Sequence, residues 1–174
     1  VLDVGTGTGQ IPIELCRQHP TVQVKGIDLA EHMLALGRRN LHAAGLDQRI
    51  GLEKIDAKQL PFSDATFTAV MSNSIVHHIP QPGLVLAEMV RVLQPGGLVF
   101  VRGLLRPGDD AAVGHLVQTY AGQENDRQRQ MSEAPLGAAL PLAKTKARVR
   151  PLGFPRAGAR QTTDRHWTWS ARKG

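Results

Sequence analysis

Cysteine is nearly absent: Cys16 is the only one in 174 residues. A lone thiol excludes an intramolecular disulfide and a cysteine-rich zinc site. No apolar stretch approaches the roughly 18 residues of a membrane-spanning helix, so no membrane span is expected. Aromatic side chains make up 4% of the chain, and few interleave with the basic residues, which disfavours a base-stacking surface. Internal repeats and low-complexity tracts are missing as well. There is no initiator methionine and no signal-peptide pattern; the chain opens at Val1 in a strand-like run. It therefore reads as a trimmed domain, with a cytoplasmic location as the default expectation. The length suits a single domain over residues 1–174, with apolar content of 41% sufficient for a core without staples.

Charge is unevenly placed. Residues 1–101 hold 8 Lys and Arg against 9 Asp and Glu, while residues 102–174 hold 13 against 6. The C-terminal excess fits either a solvated basic surface or a phosphate-bearing partner. The scatter of the basic residues favours the solvated surface.

The first two thirds alternate strands with helices. Val1-Leu2-Asp3-Val4 predicts a short strand, Gly5 to Gly9 a turn, and Gln10 to about Gln18 a helix with Pro12 tolerated in its first turn. Val22, Val24 and Ile27 predict a second strand closing at Asp28. A helix from about Ala30 places Met33, Leu36, Gly37 and Leu41 on one face and ends at Gly45. Ile50, Leu52 and Ile55 predict a third strand, Phe67 to Ser72 a fourth, and Leu84 to Leu93 a helix. After a Gln94-Pro95-Gly96-Gly97 turn, Leu98 to Val101 predict a fifth strand. Such alternation predicts an α/β fold with a parallel sheet and right-handed crossovers. Further on, Asp109 to about Met131 can form a polar helix, Leu142 to Val149 is weakly helical, and Ala159–Thr163 with His166–Ala171 can form a hairpin about Asp164-Arg165. Trp167, Trp169 and Ala171 then share one face, and burial against a helix is preferred to ligand stacking.

Three features carry chemistry. The strand into Gly5-Thr6-Gly7-Thr8-Gly9 lets backbone approach a ligand without Cβ atoms in the way. It is not a P-loop, because no Lys follows, and Gln10 occupies the third glycine slot of a dinucleotide loop. Asp28 lies 19 residues after Gly9, at a strand end. It can accept from both hydroxyls of a ribose or cap the following helix; its place beyond a strand end beside the glycine loop favours the ribose. Asp56 and Ala57 close the third strand, where a carboxylate can accept from an exocyclic amine and a small side chain leaves room for a flat ring, or the Asp can simply cap a turn.

Taken with Leu60-Pro61-Phe62, Ser72-Asn73-Ser74-Ile75-Val76-His77-His78 and Arg91-Val92-Leu93-Gln94-Pro95-Gly96-Gly97, these segments resemble the class I S-adenosylmethionine-dependent methyltransferases, most closely the small-molecule group that includes quinone-biosynthesis enzymes. The resemblance covers residues 1–101. It implies a three-layer Rossmann-like sandwich with a mostly parallel seven-stranded sheet, order 3-2-1-4-5-7-6, strand 7 antiparallel. It implies S-adenosylmethionine as cofactor and a small-molecule substrate, with residues 1–101 as the cofactor-binding core and 102–174 as the substrate side and closing hairpin. Asp3, Gly5, Gly7 and Gly9 would line the methionine part, Asp28 would hold the ribose with Leu29 against the adenine, Asp56 would receive the adenine amine beside Ala57, and Asn73 would face the substrate. His77 and His78 are the nearest general-base candidates, and as adjacent residues at most one faces the site. They make a poor metal pair, and no metal is expected. The helices that the family carries ahead of the first strand are expected to be missing here. Competing readings are a non-catalytic cofactor-binding module of the same fold, a nicotinamide-dinucleotide domain disfavoured by Gln10, and an RNA or protein methyltransferase motivated by the basic C-terminal third.

Overall fold

The computed structural model describes residues 1–75, 79–107, 110–121, 139, 141–154 and 158–174. Among these, seven strands form one sheet in the order β3-β2-β1-β4-β5-β7-β6. The central strand β1, Leu2–Val4, is buried at every position and pairs in parallel with β2 (Val24–Asp28) and β4 (Phe67–Asn73). β2 continues in parallel to β3 (Ile50–Lys54), and β4 to β5 (Leu93–Leu104). The hairpin β6 (Arg160–Thr163) and β7 (His166–Arg172) closes the sheet, with β7 antiparallel to β5. The α/β class is the one expected from the alternation of strands and helices, and the strand order and antiparallel last pairing are those that the resemblance implies.

Helix α1, Gln10–Gln18, and α2, Glu31–Ala44, cover one face over β1 to β3. Ile13, Cys16, Leu34 and Leu41 there pack on Val24, Ile50 and Leu52. The face of α2 differs from expectation in one residue: Leu34 is fully buried and Leu36 is 40% exposed. At 100° per residue, Leu34, Gly37 and Leu41 form the tighter stripe, and Leu36 falls outside it. Gly45 ends α2 in the left-handed conformation. Arg49 draws the end of α1 onto the sheet by donating to the carbonyls of Cys16, His19 and Val22.

The opposite face is covered by α3, Pro82–Val92, and α5, Leu142–Val149. β5 starts at Leu93, earlier than expected, because Leu93 pairs with Phe67 before Leu98 pairs with Ala69; the Gln94–Gly97 turn is a bulge between these pairings. Arg91 of α3 clasps the 60–64 loop, donating to the Leu60 and Phe62 carbonyls and to Glu88 and Asp64. Those carboxylates raise the Arg91 pKa, Glu88 foremost, and Arg91 lowers that of Glu88. Trp167 and Trp169 are in the core, as expected, with the Trp167 indole donating to the Leu104 carbonyl. Helix α4, Asp110–Ala121, rests Val113 and Leu116 on Leu104, on the other side of the sheet from the tryptophans. The expected continuation of α4 to Met131 lies outside the described residues.

Candidate functional site

Beyond the carboxyl ends of β1, β2 and β3 lies a cavity of about 160 Å³. Its floor is the turn after β1, where Gly5, Gly7 and Gly9 all have positive φ. The Gly5 and Thr6 amides both donate to the Ile27 carbonyl, at 2.8 and 2.9 Å, which folds the turn back over β2. Gly5 is required twice. Its φ of 77° is costly for any other residue, and an added Cβ would collide with the Ile75 side chain that roofs it.

Asp28 ties two loops together. One carboxylate oxygen accepts the Gly7 amide at 2.9 Å and the other accepts the Ala30 amide at 2.9 Å. Each oxygen keeps a second lone pair for a ligand hydroxyl. Of the two roles read from the sequence, the helix cap is not the one seen: Ala30 is the N-cap of α2 and has no side-chain cap bond, while Asp28 organises the glycine turn and borders the cavity. Leu29, 56% exposed, and Ala57 give it apolar sides. Asp56 also borders it; its pKa is lowered first by the Lys58 backbone amide, against some burial and with help from the Lys58 ammonium 3.3 Å away.

Asp3 lies beneath this floor rather than in the cavity lining, only 2% exposed. Burial, moderated by the Thr6 hydroxyl and reinforced by the charge of Asp28, pushes its pKa up to about 6. The Thr6 hydroxyl is near enough to temper the shift but does not close a well-formed bond, since Asp3 Oδ2 and Thr6 Oγ1 are both buried without a hydrogen-bond partner. The folded state therefore holds this proton more tightly than the unfolded chain does. That stability is full below about pH 4 and is lost as the pH rises through about 6. Asp3→Asn is expected to remove this slope and to stabilise the domain at pH 7.5 by about 2 kcal/mol. Denaturant titrations at pH 4.5 and 7.5 check this; an unchanged slope would locate the pH dependence elsewhere.

Of the other residues singled out by sequence, Gly7 and Gly9 support the turn without lining the cavity, and Gly9 is the N-cap of α1. Asn73 ends β4, the strand next to β1, and is not among the residues that line the cavity. His77 and His78 lie outside the described residues. Sequence reasoning missed the apolar wall of Ile27, Ile55, Ile75 and Ile79. Its signal was the repeated Ile-Asp at two strand ends, Ile27-Asp28 and Ile55-Asp56. Among the described residues, no group of three His, Cys, Asp or Glu side chains gathers to hold a metal, and no helix is long and apolar enough to cross a membrane.

Residues 1–97 match the family described as a methyltransferase domain. The chain belongs to that family. This methyltransferase domain is 41% identical over 108 residues to demethylmenaquinone methyltransferase of Porphyromonas gingivalis, an alignment covering 62% of this chain and 44% of that protein. It is 30% identical over 178 residues to 27-O-demethylrifamycin SV methyltransferase of Amycolatopsis mediterranei, covering 99% and 61% respectively. The crystal structure of a SAM-dependent methyltransferase from Aquifex aeolicus superposes with a TM-score of 0.73 at 19% identity, over 98% of this chain and 79% of that one, a likeness of fold. The domain thus spans less than half of the Porphyromonas protein, whereas its alignment with the Amycolatopsis protein runs through the C-terminal third.

Proposed function

We propose that the domain binds S-adenosylmethionine and positions a small-molecule O, N or C nucleophile for in-line attack on its methyl group. The observation that carries this reading is the pairing of Asp28 and Asp56 at neighbouring strand ends, either side of an isoleucine-walled cavity floored by Gly5. The residues present suit an adenosine with a cationic tail. Asp28 retains lone pairs for the ribose hydroxyls, Asp56 offers an acceptor to the adenine amine, and Leu29, Ala57 and Ile55 supply flat apolar contact. The buried Asp3 carboxylate, with an unpartnered oxygen two residues before Gly5, supports a cationic methionine part on this side of the cavity.

When bound, the cofactor supplies a sulfonium methyl that is already electrophilic, so the protein's share is alignment and exclusion of water. Residues 1–101 would hold the cofactor and 102–174 would shape the substrate side. Both relatives named above are methyltransferases whose names specify small molecules, which supports the same substrate class here. Calorimetric titration with S-adenosylhomocysteine tests the reading. Saturable one-site binding is expected, with NADH giving no comparable heat; a folded chain that binds neither, or binds the dinucleotide more tightly, would overturn it.

A further inference from the structure

The sheet face opposite the tryptophans carries a polar row that the cofactor reading leaves unused. Asn73 at the end of β4 pairs with Arg102 of β5, and Arg102 pairs with Thr168 of β7. Directly paired residues project to the same side of a sheet, so the three side chains stand in line, with His166 on the same side next along β7. The row begins one strand from the cavity floor, because Ser72, just before Asn73, pairs with Val4, just before Gly5. With strands about 4.8 Å apart, Arg102 stands roughly 10 Å across the sheet from that floor.

Arg102 is an anomaly among the half-buried arginines of this domain. Arg49 and Arg91 spend their donors on carbonyls and carboxylates. Arg102 Nε is shut off from solvent and has no hydrogen-bond partner, and no described residue forms an ion pair with its guanidinium. Arg148 also has an orphaned nitrogen, but it lies on α5, on the opposite face and outside the cavity lining. A guanidinium nitrogen buried without an acceptor is costly, and such a group persists where something else supplies the acceptor. The surroundings suit an anion. Burial first, then the charges of Arg102 and Arg165, lower the His166 pKa, against the pull of Asp164. Its Nδ1 is engaged with the Thr163 hydroxyl at 2.9 Å. On the same side, Phe100 is 39% exposed and Leu104 carries the apolar residues of α4, so a hydrophobic surface adjoins the charge.

We propose that Arg102, flanked by Asn73, is the substrate-binding residue that receives paired anionic oxygens, a carboxylate or phosphate group on an otherwise apolar substrate. The planar fork of a guanidinium matches two such oxygens. The proposal rests on the cofactor reading, because the molecule whose anionic group Arg102 receives is the one that the cofactor would methylate. It narrows the substrate from any small nucleophile to an acidic amphiphile.

The test is a titration of the domain saturated with S-adenosylhomocysteine, using benzoate in one arm and inorganic phosphate in the other, for the wild type, Arg102→Met and Arg102→Lys. The expected result is that one anion binds, that Arg102→Met weakens it about ten-fold or more with S-adenosylhomocysteine affinity unchanged, and that Arg102→Lys is intermediate. Whichever arm responds names the source of the oxygens. Thermal unfolding without ligand provides a second readout: removing a half-buried cation whose Nε has no acceptor should raise the Tm, whereas removing a structural arginine would lower it. If neither anion binds the saturated wild type, or Arg102→Met binds as tightly, the proposal is overturned. Failure of S-adenosylhomocysteine itself to bind would instead overturn the cofactor reading, so the two failures are distinguishable.

Discussion

Gly103→Ala is expected to destabilise the domain by about 3 kcal/mol, among the largest effects of any single methyl group here. A Cβ at that position would lie 2.7 to 2.9 Å from three atoms of the Trp167 indole. The ring cannot retreat easily: Trp167 is 2% exposed, and its Nε1 donates to the Leu104 carbonyl at 3.0 Å. Overpacking of a filled core costs about 1–3 kcal/mol, and displacing the indole adds the loss of a hydrogen bond, about 1 kcal/mol. Denaturant unfolding followed by tryptophan fluorescence measures the cost. The double variant Gly103→Ala with Trp167→Phe should recover part of it, because the smaller ring leaves the new methyl room. An unchanged midpoint in Gly103→Ala would mean that β5 and β7 are not in register at this pair.

The second large effect concerns Asp28. Asp28→Ala should weaken S-adenosylhomocysteine about 100-fold or more, since two charge-assisted bonds to the ribose would be lost at once. It should also loosen the empty protein, because the Gly7 and Ala30 amides lose their acceptor. Asp28→Asn separates these effects: its carbonyl can still serve one amide, so the stability loss should shrink while the affinity stays well below that of the wild type. Calorimetry paired with thermal unfolding of both variants distinguishes the two roles. Wild-type affinity in both would remove Asp28 from the ligand and leave it a purely structural clasp.

Much of the fold was legible because its signals are local. The parallel strands β1 to β4 are short and carry buried apolar residues, and a turn, a Gly or a Pro marks the next element. Asp28 and Asp56 were legible because strand ends in an open α/β sheet are where ligands collect. What escaped depends on packing between distant segments. Leu34 and Leu36 are equally apolar, and only the approach of α2 to the sheet chooses between them. Ile75 reads as one apolar residue among several, yet it roofs Gly5 because β4 lies beside β1. Arg102 reads as part of a scattered basic excess; its lack of a partner exists only once β5 is sandwiched between β4 and β7. The raised pKa of Asp3 is likewise a product of burial that a strand pattern does not encode.

The place of β7 in the sheet imposes an order on assembly. β7 follows β6 in sequence, yet it inserts between β5 and β6 and contributes Trp167 and Trp169 to the same core as Val99 and Val101. As the chain leaves the ribosome, β1 to β5 can pair while the neighbouring hydrophobic face stays bare, and it is sealed only when the final hairpin arrives. The sequence separation between β5 and β7 slows that step. During synthesis, the interval before the hairpin docks is when this domain offers an open sheet edge, and a chaperone or a second nascent chain would compete with β7 for it.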